Sequence, residues 1–294
     1  MSISSEGLYF SCLPDRYDNL PLMDTFQARD GQNLSYRFYD SSHKDRVFIL
    51  LHGSSAEGEY LDPLAKHLSL KSGQVYVPNI RGHYGSGSSR GDCSYIGQLE
   101  DDISDLIQGF SLQDKKIYLV GHSSGGGLAM RFSAGPYGKL IKGCALLSPA
   151  IPTAPTMRQG DAGGWAKVSL WKVISLSILN GFGIQWFNHT EVISFNRPVE
   201  YCTGKETLSY SFNLNSSYHP RLPYTQDIPS LKNRMLTVVG SMDEAMDPSF
   251  YPEVMQDPTS ASIKIMPGIR HLEITQNQTT FDIITNWIVN HENI

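Results

Sequence analysis

The chain has 294 residues and a net charge of −5, from 29 acidic and 24 basic residues, and its length suits one large α/β core with an inserted subdomain. The charges are spread out, with no basic block or acidic tail, which gives nucleic acid no electrostatic foothold. The four cysteines, Cys12, Cys93, Cys144 and Cys202, lie far apart without a Cys-x-x-Cys pair, which speaks against a metal site and points to buried thiols in a reducing compartment.

The start lacks the basic residues and apolar run of a signal peptide, and no stretch approaches the ~20 apolar residues that cross a bilayer, so a soluble cytoplasmic protein is expected. After a variable lead over residues 1–24, Gly31 to Tyr39 reads as a strand. Val47-Phe48-Ile49-Leu50-Leu51 is apolar throughout, as in a strand buried on both faces of a parallel sheet. A helix from Glu59 to Leu70 and a strand from Gln74 to Pro78 follow. Leu99, Ile103, Leu106, Ile107 and Phe110 mark the inner face of the next helix, with Asp101, Asp102 and Asp105 opposite. A strand ending at Gly121, a helix through Leu128, and a strand from Ile141 to Leu147 continue the β-α rhythm. That rhythm predicts an α/β fold, a mostly parallel central sheet with helices on both faces.

At Pro149 the rhythm breaks. Residues 150–225 show no strand alternation and hold Trp165, Trp171 and Trp186, so they read as an inserted helical segment. The pattern resumes over 226–294 with the strand Met235 to Val239, a helix near Pro248 to Met255, the strand Ser262 to Met266, and a helix facing inward through Phe281, Ile284 and Ile288. The core is thereby divided into residues 25–149 and 226–294.

Gly121-His122-Ser123-Ser124-Gly125, between a strand and a helix, has the form of a nucleophile elbow. The turn is so sharp that residues two before and two after Ser123 must be very small. A serine hydroxyl needs a base, and the base an orienting carboxylate; both are expected in loops after later strands, the acid first. Asp243, three residues past Gly240, and His271, after Pro267-Gly268, stand in those loops. Glu244 and Asp247 compete with Asp243. Acyl transfer also needs two N–H donors for the oxyanion, expected from Ser124 and from Ser54 in His52-Gly53-Ser54-Ser55. This chemistry calls for no cofactor and no metal.

The ordered set His52-Gly53-Ser54, Arg81-Gly82-His83, Gly121 to Gly125, Gly240 to Asp243 and Pro267 to His271 resembles the α/β-hydrolase fold superfamily. Within it the chain is similar to the serine aminopeptidase S33 (hydrolase-4) group, which includes monoacylglycerol lipases and lysophospholipases. Asn79 replaces the group's usual Asp, and Tyr84 separates His83 from Gly85; both changes bear on the shape of the substrate site. The resemblance implies a carboxylic-ester or lipid substrate, an acyl-enzyme, and an insertion serving as a lid. Trp165, Trp171 and Trp186 are then candidate substrate contacts, in an apolar stretch that suits either packing onto the core or an acyl chain and transient contact with a lipid surface. Two rival readings stand beside this one. An amidase or aminopeptidase would need clustered carboxylates, whereas Asp161, Glu191, Glu200 and Glu206 are dispersed along the insertion. A non-catalytic binding protein on this fold would be expected to lack a member of the serine, acid and base set.

Overall fold

The computed structural model describes residues 7–231, 233–256 and 262–292. Its first half contains β1 (Met23–Gln27), β2 (Asn33–Tyr39), β3 (Arg46–Leu51), α1 (Asp62–Lys71), β4 (Gln74–Pro78), α2 (Gln98–Gly109), β5 (Lys116–His122), α3 (Ser124–Ala134) and β6 (Gly143–Leu147). The inserted stretch adds α4 (Gln159–Gly164), β7 (Ala166–Val168), α5 (Leu170–Gly181), β8 (Glu191–Phe195), β9 (Ser209–Ser211) and α6 (Phe212–Ser217). The chain then completes the core with β10 (Met235–Gly240), α7 (Tyr251–Gln256), β11 (Ser262–Met266) and α8 (Gln278–Glu292).

Eight strands form one sheet in the order β1-β2-β4-β3-β5-β6-β10-β11. Only the β1–β2 and β2–β4 pairs are antiparallel. The continuous apolar run of β3 follows from its central place. Val47, Ile49 and Leu51 join the core on one face with Leu106 and Leu128, while Phe48 and Leu50 pack on the other face with Leu64 and Ile284. Leu51 pairs with Gly121, and Gly240 with Met266, so the parallel strands end along one edge. Loops leaving that edge carry the candidate site residues.

Two expectations need correction. β1 begins inside the supposed lead; of its five residues only Phe26 is buried, so hydropathy could not mark it. The insertion is not purely helical either, because β7, β8 and β9 form a three-stranded antiparallel sheet. Strands of three to five residues are too short for alternation to register. Val168 accordingly lies in a strand, with Trp165 just before it, and the helix begins only at Leu170. No helix among the described residues is long and apolar enough to cross a membrane.

Candidate active site

β5 delivers Ser123 at φ 55° and ψ −121°, a backbone conformation that L-residues rarely adopt and that a tightly packed surround must hold. The glycines make the turn possible. A Cβ on Gly121 would lie 2.1 Å from the Gly125 carbonyl oxygen, and one on Gly125 would lie 2.2 Å from the Leu51 carbonyl oxygen. The Ser123 carbonyl accepts the N–H groups of Gly126 and Gly127 at 2.9 and 3.1 Å, so α3 starts at once beneath the hydroxyl.

The loops after β10 and β11 meet closely, since a Cβ on Gly240 would touch the Ile269 carbonyl oxygen at 2.1 Å. Asp243 and His271 are thereby brought together, with Nδ1 of His271 at 2.8 and 3.0 Å from the two carboxylate oxygens. Asp243 Oδ1 also accepts the N–H groups of Ala245 and Met246 at 3.0 and 2.7 Å. Both side chains are buried. Burial works to raise the Asp243 carboxyl, but the His271 charge and the hydrogen bonds outweigh it and hold the group below its ordinary value. Burial likewise works to lower the His271 imidazole; the Asp243 carboxylate, with the charge of Glu244, brings it above the ordinary histidine value.

The competitors are engaged elsewhere. Glu244 accepts the backbone N–H of His271 at 3.0 Å and pairs with Arg270 at 3.3 Å. Asp247 caps the turn that follows it, accepting the Ser249 N–H and hydroxyl at 3.0 and 2.6 Å.

Two chains of hydrogen bonds hold the loop after β3. The His122 Nε2 lies 2.9 Å from the His271 carbonyl oxygen, which can only accept, so that nitrogen carries the proton. The Nδ1 of His122 then accepts from the Tyr60 hydroxyl at 2.8 Å, and the Tyr60 oxygen accepts the Gly53 N–H at 2.7 Å. In the second chain, His83 Nδ1 faces the carbonyls of Ile80 and Arg81 at 3.1 and 3.2 Å, leaving Nε2 to accept from the Tyr210 hydroxyl at 2.6 Å. Tyr210 in turn accepts the Ser55 N–H at 2.9 Å. Burial pushes His122 down to about 3 and His83 down to about 4, so both stay neutral and keep these tautomers.

The amides on either side of Ser54 are thus satisfied, while the Ser54 N–H itself has no acceptor among the described residues. Ser124 occupies the first position of α3, where a helix leaves its N–H groups free. The Ser54 and Ser124 hydroxyls meet at 2.6 Å, tying the two segments together. Sequence reading missed Tyr60 and Tyr210. Their partners lie 62 and 127 residues away, and no spacing rule connects them.

Ser123, His271 and Ser54 open on a cavity of about 310 Å³. Its walls come from three parts of the chain: the core loops, the insertion through Trp165, Arg197 and Tyr201, and the N-terminal lead through Leu8, Phe10 and Leu13. Four carboxylates also line it, Asp15, Glu57, Glu59 and Glu200. Burial, then a hydrogen bond to Glu59 and that neighbour's charge, raises Glu57 to about 7. Of the predicted contacts, Trp165 belongs to the lining, whereas Trp171 and Trp186 lie outside it at 70% and 88% exposure. Glu191 and Glu206 are also outside, Glu206 being turned onto the Thr203 and Gly204 amides, and the Asp161 side chain falls outside the described residues.

A mostly parallel sheet carrying a strand–serine–helix elbow, with later loops converging on it, defines the α/β-hydrolase class. The sequence profile of the serine aminopeptidase S33 family (Hydrolase_4) matches residues 42–277, and the chain belongs to that family of hydrolases. Among solved structures it is similar to a monoglyceride lipase from Saccharomyces cerevisiae, with TM-score 0.70 and 17% identity, covering 95% of this chain and 98% of the other. It also resembles a Paleococcus ferrophilus monoacylglycerol lipase, with TM-score 0.62 and 17% identity over 88% and 99% of the two chains. In sequence it is 32% identical over 116 residues to a probable protein phosphatase methylesterase 1 of Caenorhabditis elegans, a match spanning 38% of this chain and 32% of that relative.

Proposed function

We propose that the chain is a serine hydrolase that cleaves carboxylic esters through Ser123, His271 and Asp243, with the Ser54 and Ser124 N–H groups as oxyanion donors. The observation that carries this reading is that His271, paired with the buried Asp243, opens on the same cavity as the strained elbow serine. In this mechanism the free Nε2 of His271 takes the Ser123 proton as Oγ attacks the ester carbonyl. Asp243 holds the Nδ1–H tautomer and stabilises the imidazolium. The tetrahedral intermediate collapses as His271 protonates the leaving alcohol, and water repeats the cycle to release the acid. No metal or cofactor enters any step.

The lining supports a neutral monoacylglycerol-like ester over a lysophospholipid with a net negative headgroup. Asp15, Glu59 and Glu200, with Glu57 raised to about 7 and so only partly charged near neutral pH, against one guanidinium, Arg197, give a lining that disfavours an anionic headgroup. The insertion supplies a lipid-facing surface as well. Trp171, Ile174 and Ile178 lie on one exposed face of α5, followed by the exposed Phe182 and Trp186, with Lys172 beside Trp171. An apolar patch of this extent, with Lys172 beside it, suits docking at a lipid–water interface. Trp171 and Trp186 are therefore reassigned from substrate contacts to surface anchors.

The test is fluorophosphonate labelling and hydrolysis of an ester panel, with Ser123→Ala as control. Both activities should vanish in the variant; labelling that persists at one other residue would overturn the assignment. A second reading, an amidase or aminopeptidase on the same residues, draws on the four carboxylates, which could hold a substrate ammonium group. Turnover of aminoacyl arylamides without turnover of neutral esters would favour it, and silence in every assay would leave a binding role.

A further inference from the structure

We infer that the N-terminal segment over residues 7–17 sets the length of acyl group the cavity admits, with Phe10 as the closing residue. This deepens the ester-hydrolase reading and rests on it.

The segment precedes the core sheet, and Leu8, Phe10 and Leu13 from it face the same cavity as Ser123 and His271. A short 3-10 turn, Phe10–Cys12, directs Phe10 inward, where it is only 5% exposed. Its ring lies 5.6 Å from Trp165 and stacks 5.4 Å from Tyr201, and the Arg197 guanidinium sits 5.1 Å from the ring centre. All three partners belong to the insertion and line the cavity themselves, so Phe10 forms the seam between the two walls. The adjacent Tyr9 is covered by the Arg270 guanidinium at 4.4 Å, which fixes the segment to the loop bearing His271. These aromatic and cation contacts tie the segment to both walls of the cavity.

The cavity volume of about 310 Å³ sits at the lower end of the roughly 300–1,000 Å³ range of ligand pockets. With Phe10 in place, an acyl chain entering this cavity meets an aromatic wall of Phe10, Trp165 and Tyr201. Removing the ring lengthens the apolar path; adding bulk at Leu13 shortens it. An apolar pocket discriminates by about tenfold or more per methylene it accepts or refuses.

The experiment uses the full chain with Phe10→Ala, Phe10→Leu and Leu13→Phe. It reads the kcat/KM ratio for p-nitrophenyl dodecanoate over p-nitrophenyl acetate, and the labelling-rate ratio for a long-chain over an ethyl fluorophosphonate. Phe10→Ala should raise both ratios by about tenfold or more, Phe10→Leu should fall between, and Leu13→Phe should lower them. If Phe10→Ala does not fold, the other two variants still carry opposite expected signs. Ratios that stay flat, or long and short substrates falling in parallel, would overturn the inference while leaving the ester reading intact. A native chain that neither hydrolyses nor labels would overturn both.

Discussion

At the sheet edge, Ser123 and Asp243 follow β5 and β10, strands buried along nearly their whole length; the Ser123 carbonyl accepts the N–H groups of Gly126, Gly127 and Ala150, and the Asp243 carboxylate is held by His271 and two backbone N–H groups. Across the cavity, the insertion is built on strands of three to five residues and leaves Trp171 and Trp186 in solvent. The first region is rigid because paired strands and close glycine contacts allow one arrangement only. The second can vary its surface without disturbing the chemistry. Yet the two are bonded to each other close to the chemistry, where Tyr210 of β9 holds the Ser55 N–H beside the candidate oxyanion donor.

The largest effect should come from breaking the rigid side. Asp243→Asn should lower kcat by about 10⁴-fold, since an amide presenting N–H to Nδ1 favours the wrong imidazole tautomer. Glu244→Asp or Asp247→Asn should cost far less in the same steady-state assay. If Glu244→Gln instead matched the loss, the roles of the two acids would be reversed.

Next in size come the two tyrosines, which set core against insertion directly. Tyr60→Phe removes both the donor to His122 and the acceptor of the Gly53 N–H. It should lower kcat by about ten- to a hundredfold with little change in KM, less than the direct loss of an oxyanion donor. Tyr210→Phe does the same to His83 and Ser55 from the insertion side. Equal losses would make the insertion part of the positioning apparatus; a loss confined to Tyr60→Phe would leave it a wall.

The contrast also explains what could be read from the chain alone. β3, β5 and β10 announce themselves because strands covered on both faces must be apolar throughout, and Gly121 and Gly125 because no other side chain fits beside Ser123. Asp243 and His271 were legible from their places after strands. Phe10, Tyr60 and Tyr210 were not, since their roles arise from contacts between segments far apart in sequence and from a tautomer set by a carbonyl. Trp171 and Trp186 illustrate the converse problem. The apolar face of α5 that bears Trp171 looks the same in sequence whether it turns inward or, as here, outward, and Trp186 in the turn beyond it carries no period at all.

A smaller effect should separate the outer face from the cavity. Trp171→Ser with Trp186→Ser removes two exposed rings that touch neither Ser123 nor His271. Turnover of a soluble short-chain ester should be unchanged, while cosedimentation with phosphatidylcholine vesicles containing anionic lipid should fall by about tenfold or more, given about 1.5–3 kcal/mol for burying each large apolar side chain. Unchanged vesicle binding would remove the anchoring role from this face.

The smallest effect is the most diagnostic of how the rigid side is tuned. The charge of Glu244 helps raise His271 above its ordinary value, while its carboxylate accepts the His271 backbone N–H. Glu244→Gln keeps an acceptor for that N–H and removes the charge. His271 must be neutral to take the serine proton, so activity appears as pH rises through its folded value. Lowering that value moves the acid limb of the kcat/KM profile to lower pH, by less than about one unit, because the Asp243 pair, the larger influence, remains. A limb moving to higher pH would mean that the loss of Glu244 disturbs the Asp243–His271 contact rather than its electrostatics, and the rigidity ascribed to this edge would have to be located in the carboxylate pair as a unit.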